Sequence, residues 1–400
     1  MKIIQVHNSY QIRAGEDIAV ESERLLLQSK GETIIPYHED NSEIASYSHV
    51  ENAKLFFRTS WSQKSFQRMK RAIQQERPDI IHVHNTFPLI SPSVLYAAKQ
   101  ASLPVVQTLH NFRIFCPKAT FFREGKVCNA CLHDSLWNSV RYSCYRDSKL
   151  QSYTVAQMLW VHRALNTWDK NIDTFIALSR FSKEKFVEGG IQESRIVVKP
   201  NFIHVDVAPD YRHSSYAVSV GRLSPEKGVD VLLKAWKGQT LPLKIIGDGQ
   251  LRSVLETKTR ESELVNVEFM GGIPHADVIS QIQRSSFLVF SSLCYENFPL
   301  AIVEAFACGK PVIASRLGAM AEIVSDGVTG LLFEPGNEVE LADKVRWALE
   351  HPDHMRQMGI NARKAFEENY TPERNYEMLI SIYRRAIENN KKRRCDRTTS

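Results

Sequence analysis

The stretch Phe287-Leu-Val-Phe-Ser-Ser-Leu-Cys-Tyr-Glu-Asn-Phe-Pro-Leu-Ala-Ile-Val-Glu304 decides how the chain is read. Its first four residues are an apolar run of the length of a buried parallel strand. A loop follows, and Pro299 then suits the first turn of a helix, where its missing N–H costs nothing. Glu296 falls in that loop and Glu304 near the second helical turn. Strand, loop and apolar helix make half of a βαβ unit. In such units ligands meet the loops beyond the carboxyl ends of the strands, so this loop is a candidate binding site.

The same alternation continues outward. Strands are expected at Ala217–Val220, Leu243–Ile246, Val267–Phe269, Val312–Ala314 and Gly330–Leu332, with helices between them. Upstream, Pro200-Asn201 opens a weakly periodic stretch through Pro209 and Tyr211 that reads as a linker. A separate series precedes it: Ile3–Val6, Thr33–Pro36, Ile80–His84, Val105–Leu109, Thr174–Ala177 and Ile196–Val198. Glu16 to Lys30 has helical spacing and stops at Gly31, a residue suited to the left-handed turn after a helix. The fold class is therefore α/β, with one domain over 1–200 and a second over 201–371. A helix over 372–390 follows the second series and is expected to cross back to the first. The basic tail 391–400 is expected to be frayed.

Composition agrees with two domains. A chain of 400 residues exceeds one ordinary core, and 43% apolar residues suffice for two. Charged residues at 24%, without low-complexity tracts before the last ten positions, exclude a largely disordered chain. The first apolar run, Ile3–Val6, is too short for a signal peptide and no other run approaches a membrane span, so a cytoplasmic location is expected. Seven cysteines, an odd number, argue against a disulfide framework. The net charge of +6 permits anionic partners and selects none.

Two loops carry the chemistry. Gly221-Arg-Leu-Ser-Pro-Glu-Lys-Gly228 follows a strand and leads into a helix, placing Arg222 and Lys227 beside a helix start, an arrangement for a diphosphate. An ordinary charged surface loop is the competing reading of that segment alone. Around Glu296, the Asn297-Phe298-Pro299-Leu300 segment carries the start of a helix, whose open N–H groups suit a phosphate. Glu296 suits sugar hydroxyls and Glu304 a ribose diol. Gly247-Asp248-Gly249 lacks the third glycine of a dinucleotide fingerprint and no Walker A sequence occurs, so neither an NAD domain nor a P-loop kinase is supported.

With Gly318-Ala-Met-Ala-Glu322 and Asp326-Gly-Val-Thr-Gly330, these motifs resemble the family-four (GT4-type) retaining glycosyltransferases of the GT-B fold over nearly the whole chain. The resemblance implies two Rossmann-like domains facing each other across a cleft, with a UDP- or GDP-sugar held mainly by the second. By matching motif, Arg222 and Lys227 would contact the donor diphosphate, Glu304 the ribose and Glu296 the transferred sugar. Asn297, Phe298, Pro299 and Leu300 fall with the donor residues. In the first domain, His110 follows the strand ending at Leu109 and would lie near the transferred sugar, a catalytic role shared with Glu296. Gly15 and Glu16 match the acceptor-side loop, with one glycine where relatives often have two. Ala319 likewise stands where a second glycine is common. His84 is read as structural. The chain has no Asp-x-Asp motif to hold a divalent ion, so no catalytic cofactor is expected.

The acceptor implied is a glycan or a lipid-linked sugar, in polysaccharide or glycolipid assembly. Two other classes stay open: a nucleotide-sugar epimerase of the same fold, and a non-catalytic protein that binds anionic surfaces. Lys54–Gln75 supports the second, with cations and aromatics interleaved and no acidic residue; Lys64, Arg68 and Arg71 share one helical face. That pattern suits an anionic membrane at the inner face of the plasma membrane. Nucleic acid is not expected, since no recognition motif accompanies the charge. Finally, the insertion 112–147 holds Cys116, Cys128, Cys131 and Cys144, enough ligands for a closed structural zinc site, although the spacing is not that of a standard finger.

Overall fold

The computed structural model describes residues 1–11, 15–204, 207–212 and 214–398, with side chains described except at 49 and from 393 onward. The chain divides into two compact units. One comprises 1–120, 129–200 and 372–400, the other 121–128 and 201–371.

The strands, in chain order, are β1 (Lys2–Ser9), β2 (Thr33–Asp40), β3 (Ile80–Val83), β4 (Val105–Leu109), β5 (Phe122–Arg123), β6 (Lys126–Val127), β7 (Thr174–Ala177), β8 (Ile196–Val198), β9 (Ala217–Val220), β10 (Leu243–Ile246), β11 (Val267–Gly271), β12 (Leu288–Phe290), β13 (Val312–Ser315) and β14 (Gly330–Phe333). The first unit holds a sheet in the order β2-β1-β3-β4-β7-β8 and the second one in the order β11-β10-β9-β12-β13-β14. Among the described residues every strand pairing in these two sheets is parallel. Parallel strands covered on both faces by helices must be apolar throughout, which is why Ile80–Val83, Leu288–Phe290 and Val312–Ser315 are buried at every position.

The chain reverses its direction of winding between β1 and β3 in the first sheet and between β9 and β12 in the second. At such a switch the loops on the two sides diverge and leave a crevice beyond the strand ends. The residues around both switches therefore matter most.

Three local expectations are corrected. Pro299 is not inside a helix: it is extended and sits just before the helix Leu300–Ala307. The basic run after 390 is not frayed backbone, because the last helix runs from Pro372 to Thr398. That helix lies in the first unit, where Leu379, Ile380, Tyr383 and Ala386 join Ile3, Ile80 and Ile176 in one core. Within the insertion, β5 and β6 form an antiparallel hairpin that groups with the second unit.

Candidate active site

In the second unit the loop after β9 and the loop after β12 are laid directly on each other. Gly228 has φ of 66°, and a Cβ there would lie 2.1 Å from the Ser291 carbonyl oxygen, so only glycine allows the approach. The Ser291 hydroxyl donates to the Lys227 and Gly228 carbonyls at 3.1 Å each. The Leu293 amide donates to the Glu226 carbonyl at 2.8 Å. This lacing delivers Lys227 to Glu296, with Nζ 2.6 Å from Oε1, and the Ser292 hydroxyl donates to the same oxygen at 2.7 Å.

The electrostatics follow from that contact. Burial works against the Glu296 carboxylate, but the Lys227 ammonium and the hydrogen bonds from Lys227 and Ser292 outweigh it and hold the carboxyl below its ordinary range. Burial likewise works against the Lys227 cation, and the adjacent Glu296 reverses that, so the ammonium is held above its ordinary value. Both groups are ionised in a half-enclosed place. Arg222 is mostly exposed and stands 3.7 Å from Glu226. Gly221, Arg222, Lys227, Ser291 and Ser292 line one pocket together.

Next to Glu296, Asn297 is buried and its Oδ1 has no hydrogen-bond partner among the described residues. An unsatisfied buried amide oxygen costs stability, and in a native site it marks a place where a ligand or water donates. Glu304, also buried, accepts a hydrogen bond at 2.8 Å from His275, which that bond raises above its ordinary value against the effect of burial. The side chains of Phe298 and Leu300 are partly buried and pack against the apolar core.

In the first unit Glu16, expected on the acceptor side, is brought together with His110 through Asn111. Glu16 lies in the first turn of the helix Gly15–Ser29. Its Oε2 accepts from Tyr10 OH at 2.9 Å and from Asn111 Nδ2 at 3.0 Å. Burial raises its carboxyl. His110 Nε2 lies 3.0 Å from His84 Nδ1. Behind them is a cluster that sequence reasoning missed: Glu23 Oε1 lies 3.1 Å from His82 Nδ1 and 3.3 Å from His84 Nε2, and Oε2 lies 3.4 Å from Lys199 Nζ. Asn375 Oδ1 accepts from Lys199 at 3.0 Å, and Tyr383 OH lies 2.6 Å from His82 Nδ1. The ligand atoms of Glu23, His82 and His84 all fall within 4.8 Å of one another. The Lys199 ammonium already supplies the positive charge that the carboxylate needs. A sequence signal was present, since Glu23 occupies the buried face of its helix with Val20 and Leu27, where an acid has to be paired. Of the four insertion cysteines, Cys116 and Cys131 are buried and Cys128 and Cys144 half-buried.

Two parallel-sheet units, each with a switch point, and a glycine-permitted loop contact at the second of them define a protein of the GT-B fold. Comparison with known proteins agrees. Residues 36–207 match the model "Glycosyltransferase Family 4" and residues 209–365 the model "Glycosyl transferases group 1". An uncharacterized glycosyltransferase of Methanocaldococcus jannaschii is 27% identical over 82% of each chain. Among solved structures, HepE of Anabaena, crystallised with UDP, superposes with a TM-score of 0.68 at 18% identity, covering 96% of this chain and 99% of that one. Sucrose-phosphate synthase of Thermosynechococcus elongatus gives 0.70 at 18% identity, covering 96% and 98%. This chain belongs to the family-four glycosyltransferases of the GT-B fold.

Proposed function

We propose that the protein transfers a sugar from a nucleotide-diphosphate sugar to an acceptor hydroxyl with retention of anomeric configuration. The observation that carries this reading is the ionised Lys227–Glu296 pair beside the unsatisfied Asn297 at the second switch point. A diphosphate arriving there meets Lys227, Arg222 and the start of the helix Leu300–Ala307, so positive charge is in place where the leaving group forms. Those groups do the work that a divalent ion does elsewhere, and no catalytic cofactor is required. Glu296 then faces sugar hydroxyls, Glu304 the ribose, and His110 gives electrostatic support on the acceptor side. HepE has also been crystallised with UDP-glucose, which favours a UDP-sugar as the first donor to try. The acceptor class is a glycan or a lipid-linked sugar.

The test is a panel of UDP- and GDP-sugars screened for protection against heat unfolding, followed by transfer in chelator-treated protein and NMR of the product anomer. Retention without added metal is expected. An inverted product, or full dependence on magnesium in folded enzyme, would reject the mechanism. Conversion of the donor with no acceptor present would instead indicate an epimerase.

A membrane surface is the second part of the proposal. Tyr153 stacks on Phe56 at 5.9 Å and on Trp137 at 5.5 Å, and Phe57, Leu150 and Trp160 stand exposed nearby in sequence on the same helices. Lys54, Arg141 and Lys149 are exposed beside them in sequence. Exposed apolar side chains with cations close by in sequence suit an anionic bilayer at the cytoplasmic face. Among the described residues no helix is long and apolar enough to cross a membrane. Arg58 and Arg68 are diverted from this role, since both pair with Glu39. Flotation with anionic vesicles that fails at low salt would remove this part. A structural zinc at Cys116, Cys128, Cys131 and Cys144 rests on their number and on the Cys128-x-x-Cys131 knuckle, although among the described residues the group whose possible ligand atoms lie within 4.8 Å of one another is Glu23, His82 and His84. About one zinc per chain, lost in Cys128→Ser with Cys131→Ser, is the expected elemental analysis.

A further inference from the structure

The buried cluster behind His110 is more than packing. His110 is half-buried and touches, through Nε2, a histidine that is itself fully enclosed. His84 in turn places its other ring nitrogen 3.3 Å from the Glu23 carboxylate. That carboxylate is anchored from the opposite side by Lys199, whose ammonium is also held by Asn375. The order Lys199, Glu23, His84, His110 thus runs from a buried cation to the one ring of the four groups that reaches the surface.

The proton positions along this line follow from elementary chemistry. Burial, then the neighbouring His82, push His84 down to about 3, and burial followed by His84 pushes His110 well below its ordinary value, so both rings are neutral and each carries one N–H. A neutral imidazole beside a carboxylate turns its N–H and not its lone pair toward the negative oxygen. The hydrogen of His84 therefore sits on Nε2, beside Glu23. Gln5 Nε2, 3.4 Å from the same nitrogen, can only donate and so favours a bare nitrogen there, but it is neutral; the full charge of the carboxylate 3.3 Å away decides the tautomer although that contact is not aligned as a hydrogen bond. His84 Nδ1 is then an acceptor. The only hydrogen that can lie between it and His110 Nε2, 3.0 Å away, belongs to His110.

We infer that Glu23 and His84 are positioning residues that lock His110 as its Nε2–H tautomer, leaving Nδ1 as a fixed acceptor for a hydroxyl of the sugar. The inference rests on the reading of His110 as a residue that meets the transferred sugar. It assigns specificity as well as orientation. A hydroxyl can donate to this ring, whereas a group that only accepts, such as a carboxylate, is repelled.

The first measurement needs no activity. In the full-length protein labelled with 15N at histidine, two-bond proton–nitrogen correlations distinguish protonated from bare ring nitrogens, and His110→Gln identifies the signals. Nε2 protonated and Nδ1 bare between pH 6 and 8 is expected; a protonated Nδ1 overturns the inference whatever the protein catalyses. The second measurement separates positioning from packing. His84→Asn keeps an acceptor near the Nδ1 position and should retain the tautomer and most of the turnover. His84→Leu should release the tautomer and lower kcat on the order of tenfold with little change in KM, the size typical when an orienting partner is lost. Equal kcat in the two folded variants would overturn the positioning role. Failure to find any transfer would count against the proposed function and leave the NMR result standing.

Discussion

The two sheets share one architecture, yet their switch points are built in opposite ways. In the first unit the ground beside the switch is filled: His82, His84, Glu23 and Lys199 are all buried and interlocked by ion-pair contacts, although Glu23 Oε1 makes no aligned hydrogen bond among the described residues. In the second unit it is left open: glycines bring two loops together, Lys227 and Glu296 remain partly accessible, and Asn297 presents an oxygen that nothing in the described protein satisfies. The same fold thus spends one crevice on internal order and leaves the other for a ligand. Charged groups at the first should govern stability, and those at the second should govern turnover.

That contrast can be broken by substitution. The largest effect is expected for Lys199→Ala, which leaves the Glu23 carboxylate buried without its cation. Losing one member of such a pair costs about 3–5 kcal/mol, to be read as a lower midpoint in urea unfolding. A change below about 1 kcal/mol would mean that the first switch point is not the structural one. Lys227→Ala should behave in the reverse sense, lowering kcat by about 10²–10³-fold, more than it raises KM, while the unfolding midpoint moves little. Arg222→Ala should resemble it more weakly. Asn297→Leu sharpens the comparison further. Removing an unsatisfied buried acceptor should stabilise the ligand-free protein, by up to about 1–3 kcal/mol, and should abolish protection by the donor. If it destabilises the protein, the amide is structural.

The smallest effect concerns pH. The His275–Glu304 hydrogen bond raises the folded-state value of His275 above 6.5. A raised value means that the stabilisation is fully present below pH 6.5 and is lost as pH rises through the folded value. His275→Asn should therefore narrow the gap to the parent protein between pH 6 and 9. Half of the ring is solvent-exposed, so the difference should be a fraction of a kcal/mol in thermal unfolding.

The comparison also explains what could be read from the sequence. Strand positions were legible nearly throughout, because a buried parallel strand is an apolar run and runs such as Val105–Leu109 and Leu243–Ile246 are bounded by polar or turn residues. The second switch point was legible because Lys227, Glu296 and Glu304 lie in short contiguous motifs. The first was not. Glu23 meets Lys199 across 176 positions and His82 meets Tyr383 across 301, and no local pattern joins residues so far apart. His84 was read as structural for the same reason: alone at a strand end it has no visible partner, and only the fold shows that it bridges Glu23 and His110. Pro299 was misplaced by one position, since it is tolerated both just before a helix and within its first turn.

The last helix, Pro372–Thr398, has a consequence for the order of assembly during synthesis. It carries Asn375 and Tyr383 into the first unit, although every residue of the second unit has left the ribosome before them. The first unit begins first and finishes last. A nascent chain halted near residue 371 would hold a second unit able to close its own sheet, while Lys199 and His82 still lacked the two side chains that complete their surroundings. The histidine cluster is thus sealed only after the whole second unit has been made, which ties the maturation of His110 to residues that follow that unit in the chain.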